Sequence, residues 1–271
     1  MSLDLTLDLP CEPKRTLGYA DADAGTRVLI NLLTMKTIGG TIRQLANAEG
    51  RDLTNVRTRL TIVRPEREAE TRELTIAEID SETAGLNPLA ELCRSCPASA
   101  GGVAFGCVRQ IQYPIGRTAE EWIRDRLPQA GTFAAFLMQN AVRDFQYDGS
   151  AVEHYRTEGL LELAEGLKSA SDPALGTDAF FHALLGVGPK LEPWHLAMLL
   201  TWLNALGLDG KYLRTPDEFD TLTQMPIPER AGRVSVAIGA AHTDDGVKAM
   251  QRLLFAMASA WMIGVSLRVD S

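Results

Sequence analysis

Hydrophobic and polar residues alternate along several segments of the first part of the chain, which is the period of a β-strand. Leucines alternate with polar residues from Leu3 to Leu9, and this segment predicts the first strand. The same pattern recurs over Val56 to Val63 and over Arg72 to Ile79. Because a charged connection separates these two segments, they predict a β-hairpin.

Two further elements are predicted between the first strand and the hairpin. The apolar segment Val28 to Leu33 predicts a buried strand. The pair Gly39-Gly40 predicts a turn, although glycines before a helix could also bind an anion. The segment Thr41 to Ala48 then predicts one short helix.

The hydrophobic period becomes helical from Thr118 onward. Thr118 and Glu121 have the spacing of a capping box, in which two side chains bond the open N–H groups at the start of a helix. Apolar stripes at helical spacing then follow Thr132 and Pro193. The second part of the chain is therefore predicted to be mainly helical.

The last predicted helix begins near Asp244 or Asp245 and carries an apolar seam as far as Trp261. Such a seam could form a homodimer, but a coiled coil needs at least about three heptads, so packing on its own domain is the preferred interpretation. The uncharged run from Leu253 to Leu267 is shorter than the roughly 20 residues of a membrane span. It predicts a buried core helix and no membrane partner.

Alternating residues at Val234 to Ile238 and at Val265 to Val269 predict two more strands. The expected fold is therefore α+β, with a β-patterned N-terminal half and a mainly helical C-terminal half that returns strands to the sheet. Two domain organisations are open. The chain either divides into a β-rich part, 1–117, containing a cysteine-rich loop, 91–116, and a helical part, 118–271, or it forms one interlocked domain.

Composition and charge narrow the classes of function. The chain has 271 residues, of which 45% are hydrophobic, as in ordinary globular proteins, and its formal net charge is −8. Basic residues are spread along the chain, so nucleic acid is not an expected partner. The chain does not open on the continuous apolar stretch of a secretory signal. We therefore expect a cytoplasmic protein whose partner is a small molecule or another protein.

Three of the four cysteines lie between Glu91 and Gly116. Cys93 and Cys96 form a Cys-x-x-Cys pair, whose spacing lets both sulfurs of a tight turn face one point, as tetrahedral zinc coordination requires. The glycines before Cys107 let the backbone fold back and bring this third thiol to the same point. The sequence therefore predicts a metal site.

The fourth ligand decides what such a site does. Cys11 would complete a structural site of four cysteines, whereas a histidine would give a Cys₃His site and a water would leave the site open for catalysis. The candidate histidines are His154, His182, His195 and His242. An iron–sulfur cluster is the second metal alternative because it also takes four thiolates, although the spacing matches neither common ferredoxin pattern.

Two interpretations need no metal. In a thiol-redox enzyme, Cys93 would attack, Cys96 would resolve the mixed disulfide, and Arg94 would lower the pKa of the attacking thiol. A redox pair is expected at a strand-to-helix junction, however, and here a glycine-rich loop follows. Alternatively, the cysteines only pack the core. The preferred hypothesis is a binding or regulatory module with a cysteine-ligated zinc, and a thiol-redox or open-site zinc enzyme is the alternative.

The loop 91–116 is also the predicted functional surface of the chain. Three of its side chains could form apolar walls of a pocket: Phe105, Tyr113 and Ile115. Arg94 and Arg109 could supply positive charge for an anionic group, or they could instead pair with nearby acids such as Glu91 or Glu120.

Other polar groups have both a functional and a structural interpretation. Glu192 and His195 have the Glu-x-x-His spacing of di-iron bundles, but the second copy that such bundles need is missing, and an acid at a helix start is favourable by itself. His242 and Asp244 follow a predicted strand, where function is often found, but Asp244 could equally cap a helix. A third group shares one predicted helix face: His154, Glu158 and Glu162.

Overall fold

The computed structural model describes residues 2–19, 21–65, 67–102, 104–112, 116–129, 131–137 and 190–270. Helices and antiparallel sheets are mixed in it, which confirms the α+β fold. The chain divides into two compact units, one of residues 9–106 and one that combines residues 1–8 with residues 107–271. The first strand, β1 (Ser2–Leu7), therefore belongs with the C-terminal part of the chain.

The unit of residues 9–106 combines one antiparallel hairpin with several helices. Its described elements are α1 (Glu12–Leu17), α2 (Ala22–Glu49), β2 (Arg57–Ile62), β3 (Glu70–Thr75), α3 (Ile76–Thr83), α4 (Leu86–Glu91) and a 3₁₀ helix (Pro97–Gly102).

The predicted hairpin is confirmed, and its register runs from Arg57 opposite Thr75 to Ile62 opposite Glu70. A buried apolar cluster lies between the hairpin and helices α2 and α3: Met35, Leu60, Ile62, Leu74, Ile76 and Ile79. The second strand ends at Thr75, before its predicted end. The reason is local, because Thr75 and Glu78 form a capping box that starts α3.

The predicted buried strand at Val28 to Leu33 is wrong, and so is the separate short helix at Thr41 to Ala48. Both segments belong to the single helix α2. Asp21 caps this helix by accepting hydrogen bonds from two backbone N–H groups of its first turn, at 2.9 and 3.1 Å. A short apolar run is compatible with a strand or with a helix, and here the cap and the length of the helix decide.

The pair Gly39-Gly40 lies in the middle of α2 rather than in the predicted turn. A Cβ atom on Gly39 would lie 3.1 Å from Ile79 Cγ2, whereas a Cβ on Gly40 would have no neighbour within 4 Å. Gly39 therefore permits the close approach of α2 and α3, and Gly40 makes no comparable contact.

The described residues of the other unit form two antiparallel sheets. In the larger one, with strand order β4-β1-β9-β5, three strands join β1: β4 (Val108–Gln112), β5 (Lys190–Leu191) and β9 (Leu267–Asp270). This confirms that the C-terminal part returns strands to the sheet. The smaller sheet, with order β7-β6-β8, contains β6 (Leu206–Leu208), β7 (Lys211–Tyr212) and β8 (Val234–Val236).

The described helices of this unit are α5 (Arg117–Arg124), α6 (Pro193–Trp202), α7 (Pro216–Gln224), α8 (Ile227–Arg233) and α9 (Asp245–Met262). A further helical segment, residues 133–137, begins after Thr132, whose hydroxyl accepts a hydrogen bond from the backbone N–H of Ala135. The predicted capping box at Thr118 and Glu121 is wrong. Helix α5 has Gly116 as its N-cap, so Thr118 already lies within the first turn.

The last predicted helix and its capping aspartate are confirmed. Asp244 accepts a hydrogen bond from the backbone N–H of Val247 at 2.9 Å, and α9 packs against α6, β4 and β1. The apolar seam is buried within its own unit, as preferred from the sequence: Val247, Met250, Leu254, Met257 and Trp261. Within the described ranges, no helix has the length and apolar character needed to cross a membrane.

Candidate functional site

The four cysteines are divided between the two units. Cys11, Cys93 and Cys96 belong to the unit of residues 9–106, and the other unit resumes at Cys107. Cys93 and Cys107 are buried, Cys11 and Cys96 are partly exposed, and all four of these described residues are outside any disulfide. The convergence of Cys107 with the other thiols stays a prediction.

The Cys-x-x-Cys segment forms a series of tight turns after α4. The backbone N–H of Cys93 donates to Ala90 O at 3.1 Å, that of Cys96 to Cys93 O at 3.1 Å, and that of Ser99 to Cys96 O at 2.9 Å. Each hydrogen bond spans three residues, so Cys93 and Cys96 are one helical turn apart on one side of the segment. This arrangement agrees with the turn expected from the spacing of the two cysteines.

The chain folds back onto these turns at Gly106. A Cβ atom on Gly106 would lie 2.0 Å from Ala98 O, so a residue with a side chain does not fit there. The preceding residue, Phe105, has a positive φ of 58°, which is a strained backbone conformation for a non-glycine residue. Its backbone N–H is thereby placed to donate a hydrogen bond to the Cys93 thiol.

The surroundings of Cys93 disfavour its thiolate. Burial is the main reason that the pKa of the Cys93 thiol is raised, and the neighbouring thiols of Cys96 and Cys11 raise it further. The Phe105 N–H and the Ser99 hydroxyl act in the opposite direction and are outweighed. Cys93 is therefore a protonated thiol at neutral pH in the absence of a bound cation.

Ser99 supplies a buried hydroxyl beside this thiol. Its Oγ has no hydrogen-bond partner of ordinary geometry in the described part of the chain. The hydroxyl is nevertheless near enough to Cys93 to favour the thiolate slightly. Ser99 is therefore a neighbour of the thiol without a formed hydrogen bond.

Cys11 belongs to another segment of the same unit, and its charge contributes to the raised pKa of Cys93. It stands immediately before α1 with an extended backbone, and its side chain makes no hydrogen bond to the start of that helix. Among the residues that the structure describes, no group of three or more His, Cys, Asp or Glu side chains is arranged to hold a metal ion. The described positions of Cys11, Cys93 and Cys96 therefore do not form a metal site.

The two described candidate histidines have local structural roles in the other unit. His195 Nδ1 accepts a hydrogen bond from the backbone N–H of Glu192 at 3.4 Å, and burial lowers the pKa of His195. His242 Nδ1 accepts a hydrogen bond from the backbone N–H of Asp244 at 3.1 Å. The remaining members of the predicted polar groups lie outside the described residues: His154, Glu158, Glu162 and His182.

The two arginines of the predicted functional loop have different surroundings. Arg94 is exposed and pairs with Glu91 at 2.5 Å, which is the pairing with a nearby acid that the sequence offered as the alternative to anion binding. Arg109 lines a cavity of about 310 Å³ together with Lys248, Arg252, Phe255, Ile238 and Gln251. Of the loop side chains expected to form apolar walls, Phe105 is buried, and Tyr113 and Ile115 lie outside the described residues.

The members of this cavity from α9 were missed by sequence reasoning. Lys248, Arg252 and Phe255 follow one another at steps of four and three, so they share a helix face. Two cations and an aromatic ring beside an apolar stripe are a signal that could have singled out this face. A charged helix face is usually only solvated, however, so the pattern alone has low specificity.

The described residues define an α+β protein with a Cys-x-x-Cys turn whose first thiol is buried. Comparison with family models, curated proteins and solved structures found no significant match. The function must therefore be inferred from the arrangement of this chain's own side chains.

Proposed function

We propose that the chain is a binding module that holds a zinc ion through Cys11, Cys93 and Cys96. The supporting observation is that Cys96 and Cys11, which come from different segments, both raise the pKa of Cys93 by their charge. Such coupling weakens with distance, so it indicates that the thiols are neighbours. Cysteine thiolates are the usual ligands of structural zinc.

A bound cation would reverse the electrostatics of this cluster. Burial and the neighbouring thiols disfavour the Cys93 thiolate when no cation is bound. A zinc ion deprotonates the thiols that it binds and compensates the negative charges that result. The Phe105 N–H and the Ser99 hydroxyl would then donate to the Cys93 sulfur, and such hydrogen bonds orient and tune ligating atoms.

Zinc binding at these thiols requires side-chain movement, because no described group of three is already arranged as a metal site. Cys11 and Cys96 are partly exposed, whereas Cys93 is buried. We therefore expect Cys93 to stay in place while Cys11 and Cys96 rotate toward it. Cys107, the third ligand predicted from the sequence, belongs to the other unit, and its participation stays a prediction.

The thiol-redox alternative has less support. A redox cysteine needs a thiolate at neutral pH, and burial raises the pKa of Cys93 instead. The cation expected to lower that pKa, Arg94, is exposed and paired with Glu91.

The zinc proposal also assumes the predicted cytoplasmic location, where thiols stay reduced and are available to a metal.

Metal analysis of the full-length protein, purified without added metal or chelator, tests the proposal. We expect about one zinc ion per chain, as in other cysteine-ligated sites. Replacement by Co²⁺ should give a sulfur-to-cobalt charge-transfer absorption that reports thiolate ligation. Bound iron with inorganic sulfide would favour the iron–sulfur alternative, and a metal-free thiol that alkylates below pH 7 would favour the redox enzyme.

Serine variants at the thiols identify the ligands. Cys93→Ser and Cys96→Ser should each remove most of the bound zinc, and Cys11→Ser and Cys107→Ser test the remaining two predicted ligands. Ser95→Ala is a matched control because Ser95 lies between the paired cysteines and is exposed. Full retention of zinc by the Cys93→Ser variant, or zinc loss by the control, would contradict the proposal.

A further inference from the structure

Arg109 occupies a position that strand pairing gives to a buried side chain. It lies in β4, at the edge of the four-stranded sheet, opposite Leu5 of β1. Paired residues of antiparallel strands share a face, so Arg109 shares the face of Leu5 and of Ile111, two strand residues that are both buried. Helix α9 packs against β4 and β1. A cation therefore stands where the sheet meets a helix.

The protein leaves one donor of this cation unsatisfied. Arg109 Nε is buried and has no hydrogen-bond partner among the described residues. Its guanidinium carbon lies 5.1 Å from the centre of the Phe255 ring, so the cation also contacts an aromatic face. A buried donor without an acceptor is costly, and a bound acceptor would recover that cost.

The cavity beside Arg109 is cationic. Arg109, Lys248 and Arg252 contribute its charges, and none of the described residues that line it is acidic. Lys248 pairs with Asp245 at 2.7 Å, but the Asp245 side chain is 94% exposed and lies outside the lining. Three cations around one concave surface attract anions to it.

The remaining lining combines two apolar side chains with Gln251, and hydrogen bonds hold one of its walls in place. Ile238 and Phe255 provide the apolar surface. Arg126 donates to the carbonyl oxygens of Ala237 and Ile238 at 3.3 and 3.1 Å. Gln251 Nε2 donates to a third carbonyl of the same loop, that of residue 240, at 2.7 Å. The wall formed by Ile238 is thus fixed from two sides before any ligand binds.

We propose that this cavity binds a small organic anion in which a carboxylate or phosphate group is attached to a flat apolar body. Its volume of about 310 Å³ lies at the lower end of the roughly 300–1,000 Å³ of small-molecule sites. Arg109 binds the anionic oxygens through its planar guanidinium, and the apolar body lies between Phe255 and Ile238. The site belongs to the unit of residues 107–271 and does not rest on the zinc proposal.

Isothermal titration of the full-length protein with four probes tests this inference. Benzoate and phenyl phosphate carry both features, whereas benzyl alcohol lacks the charge and inorganic phosphate lacks the apolar body. We expect benzoate or phenyl phosphate to bind at least about tenfold more tightly than benzyl alcohol and inorganic phosphate, because a charged hydrogen-bonding group contributes that much. The tighter of the two distinguishes a carboxylate site from a phosphate site. Equal affinity for all four probes, or no binding of either aromatic anion at millimolar concentration, would overturn the inference.

Variants locate the bound anion. Arg109→Met should weaken binding of the tighter probe at least about tenfold, and Arg109→Lys should recover only part of it, because an ammonium lacks the planar fork. Arg59→Met is the control with the same change of charge, since Arg59 is exposed in the other unit. If the Arg109 variants do not fold, Arg252→Gln should still weaken binding and reduce its salt dependence. Equal losses in the Arg59 and Arg109 variants, or unchanged affinity in the Arg252 variant, would refute the site.

Discussion

Replacing Trp261 by alanine should destabilise the unit of residues 107–271 by about 4–6 kcal/mol. The indole of Trp261 is 1% exposed, and removing a fully buried tryptophan side chain costs about 3–5 kcal/mol. Arg230 adds to this cost because its guanidinium carbon lies 4.4 Å from the ring centre, and a desolvated cation–π contact contributes about 1 kcal/mol or more.

The cation would remain in the cavity left by the indole. Arg230 is buried and donates hydrogen bonds to the carbonyl oxygens of Met225 and Trp261, which the alanine variant retains. Burial lowers the pKa of Arg230, so its charge is already disfavoured before the ring is lost. The variant therefore combines a core cavity with a cation that has lost its aromatic neighbour.

Urea unfolding followed by tryptophan fluorescence measures this loss in the correct unit, because all four tryptophans of the chain lie within residues 107–271. Trp194→Ala is the matched control. Its side chain is 50% exposed in α6, so the same substitution should cost less than about 1 kcal/mol. Both variants lose one fluorophore, which makes their signals comparable.

A loss below about 2 kcal/mol for Trp261→Ala would refute the reasoning, because it falls below the range for large side chains in a well-packed core. A double-mutant cycle with Arg230→Met separates the two contributions. If the cation–π contact is real, the cycle should give a coupling energy of about 1 kcal/mol, within the range for residues in contact. A coupling energy near zero would assign the whole loss to the cavity.

Three other predictions concern the unit of residues 9–106 and are checked by circular dichroism during urea unfolding. Gly106→Ala should destabilise the unit by at least about 3 kcal/mol, because the new Cβ would lie 2.0 Å from a carbonyl oxygen. Gly40→Ala, whose Cβ would meet no atom within 4 Å, should instead stabilise α2 by about 0.5–1 kcal/mol. The reverse order of stabilities would refute the packing described. Thr75→Ala should cost about 1 kcal/mol through the lost cap. Hydrogen bonds from the Thr75 backbone N–H and hydroxyl hold the pKa of Glu78 below its ordinary 4.5, and Thr75→Ala removes only the one from the hydroxyl. The stability from that bond is present above pH 4.5 and is lost as pH falls, so the deficit should shrink; a deficit independent of pH would contradict this. Because the pKa of Cys93 is raised in the folded state, the metal-free protein should lose stability as pH rises above the ordinary thiol value of 9.0. The Cys93→Ala variant should lose less stability over the same range. If stability falls equally with pH in both proteins, the thiol is not buried as described.

Local patterns predicted the elements whose two faces differ in polarity. β1 alternates leucine with polar residues, and α9 has an aspartate cap followed by an apolar seam, so the period of each is unambiguous. In α2, by contrast, Val28 to Leu33 is apolar except at Asn31, so its period is ambiguous, and Gly39-Gly40 interrupts the pattern. The physical reason for Gly39 is its contact with Ile79 of α3, which no local pattern contains.

The cysteine segment was predictable in its backbone and not in its electrostatics. The spacing of Cys93 and Cys96 predicted a turn, and Gly106 permits the close return that the glycines suggested. The pKa of Cys93 depends mainly on burial, and burial depends on residues far away in the sequence. Arg94 was the nearest cation in sequence, yet it pairs with Glu91 at the surface.

Arg109 illustrates why the position of a charge relative to the core depends on strand pairing. In β4, Val108, Gln110 and Gln112 share one face while Arg109 and Ile111 share the other. Both faces mix apolar and polar residues, so alternation alone does not show which face carries a buried charge. Pairing with β1 places Arg109 opposite Leu5, which is fully buried, and so puts the cation on a covered face of the sheet. A cation on the buried face of a sheet needs an acceptor, and the described protein provides none at Nε. The position of Arg109 on a covered face therefore depends on the pairing of β1 with β4, two segments far apart in the sequence. Without that pairing, the sequence alone would suggest a surface charge and not the centre of a candidate anion site.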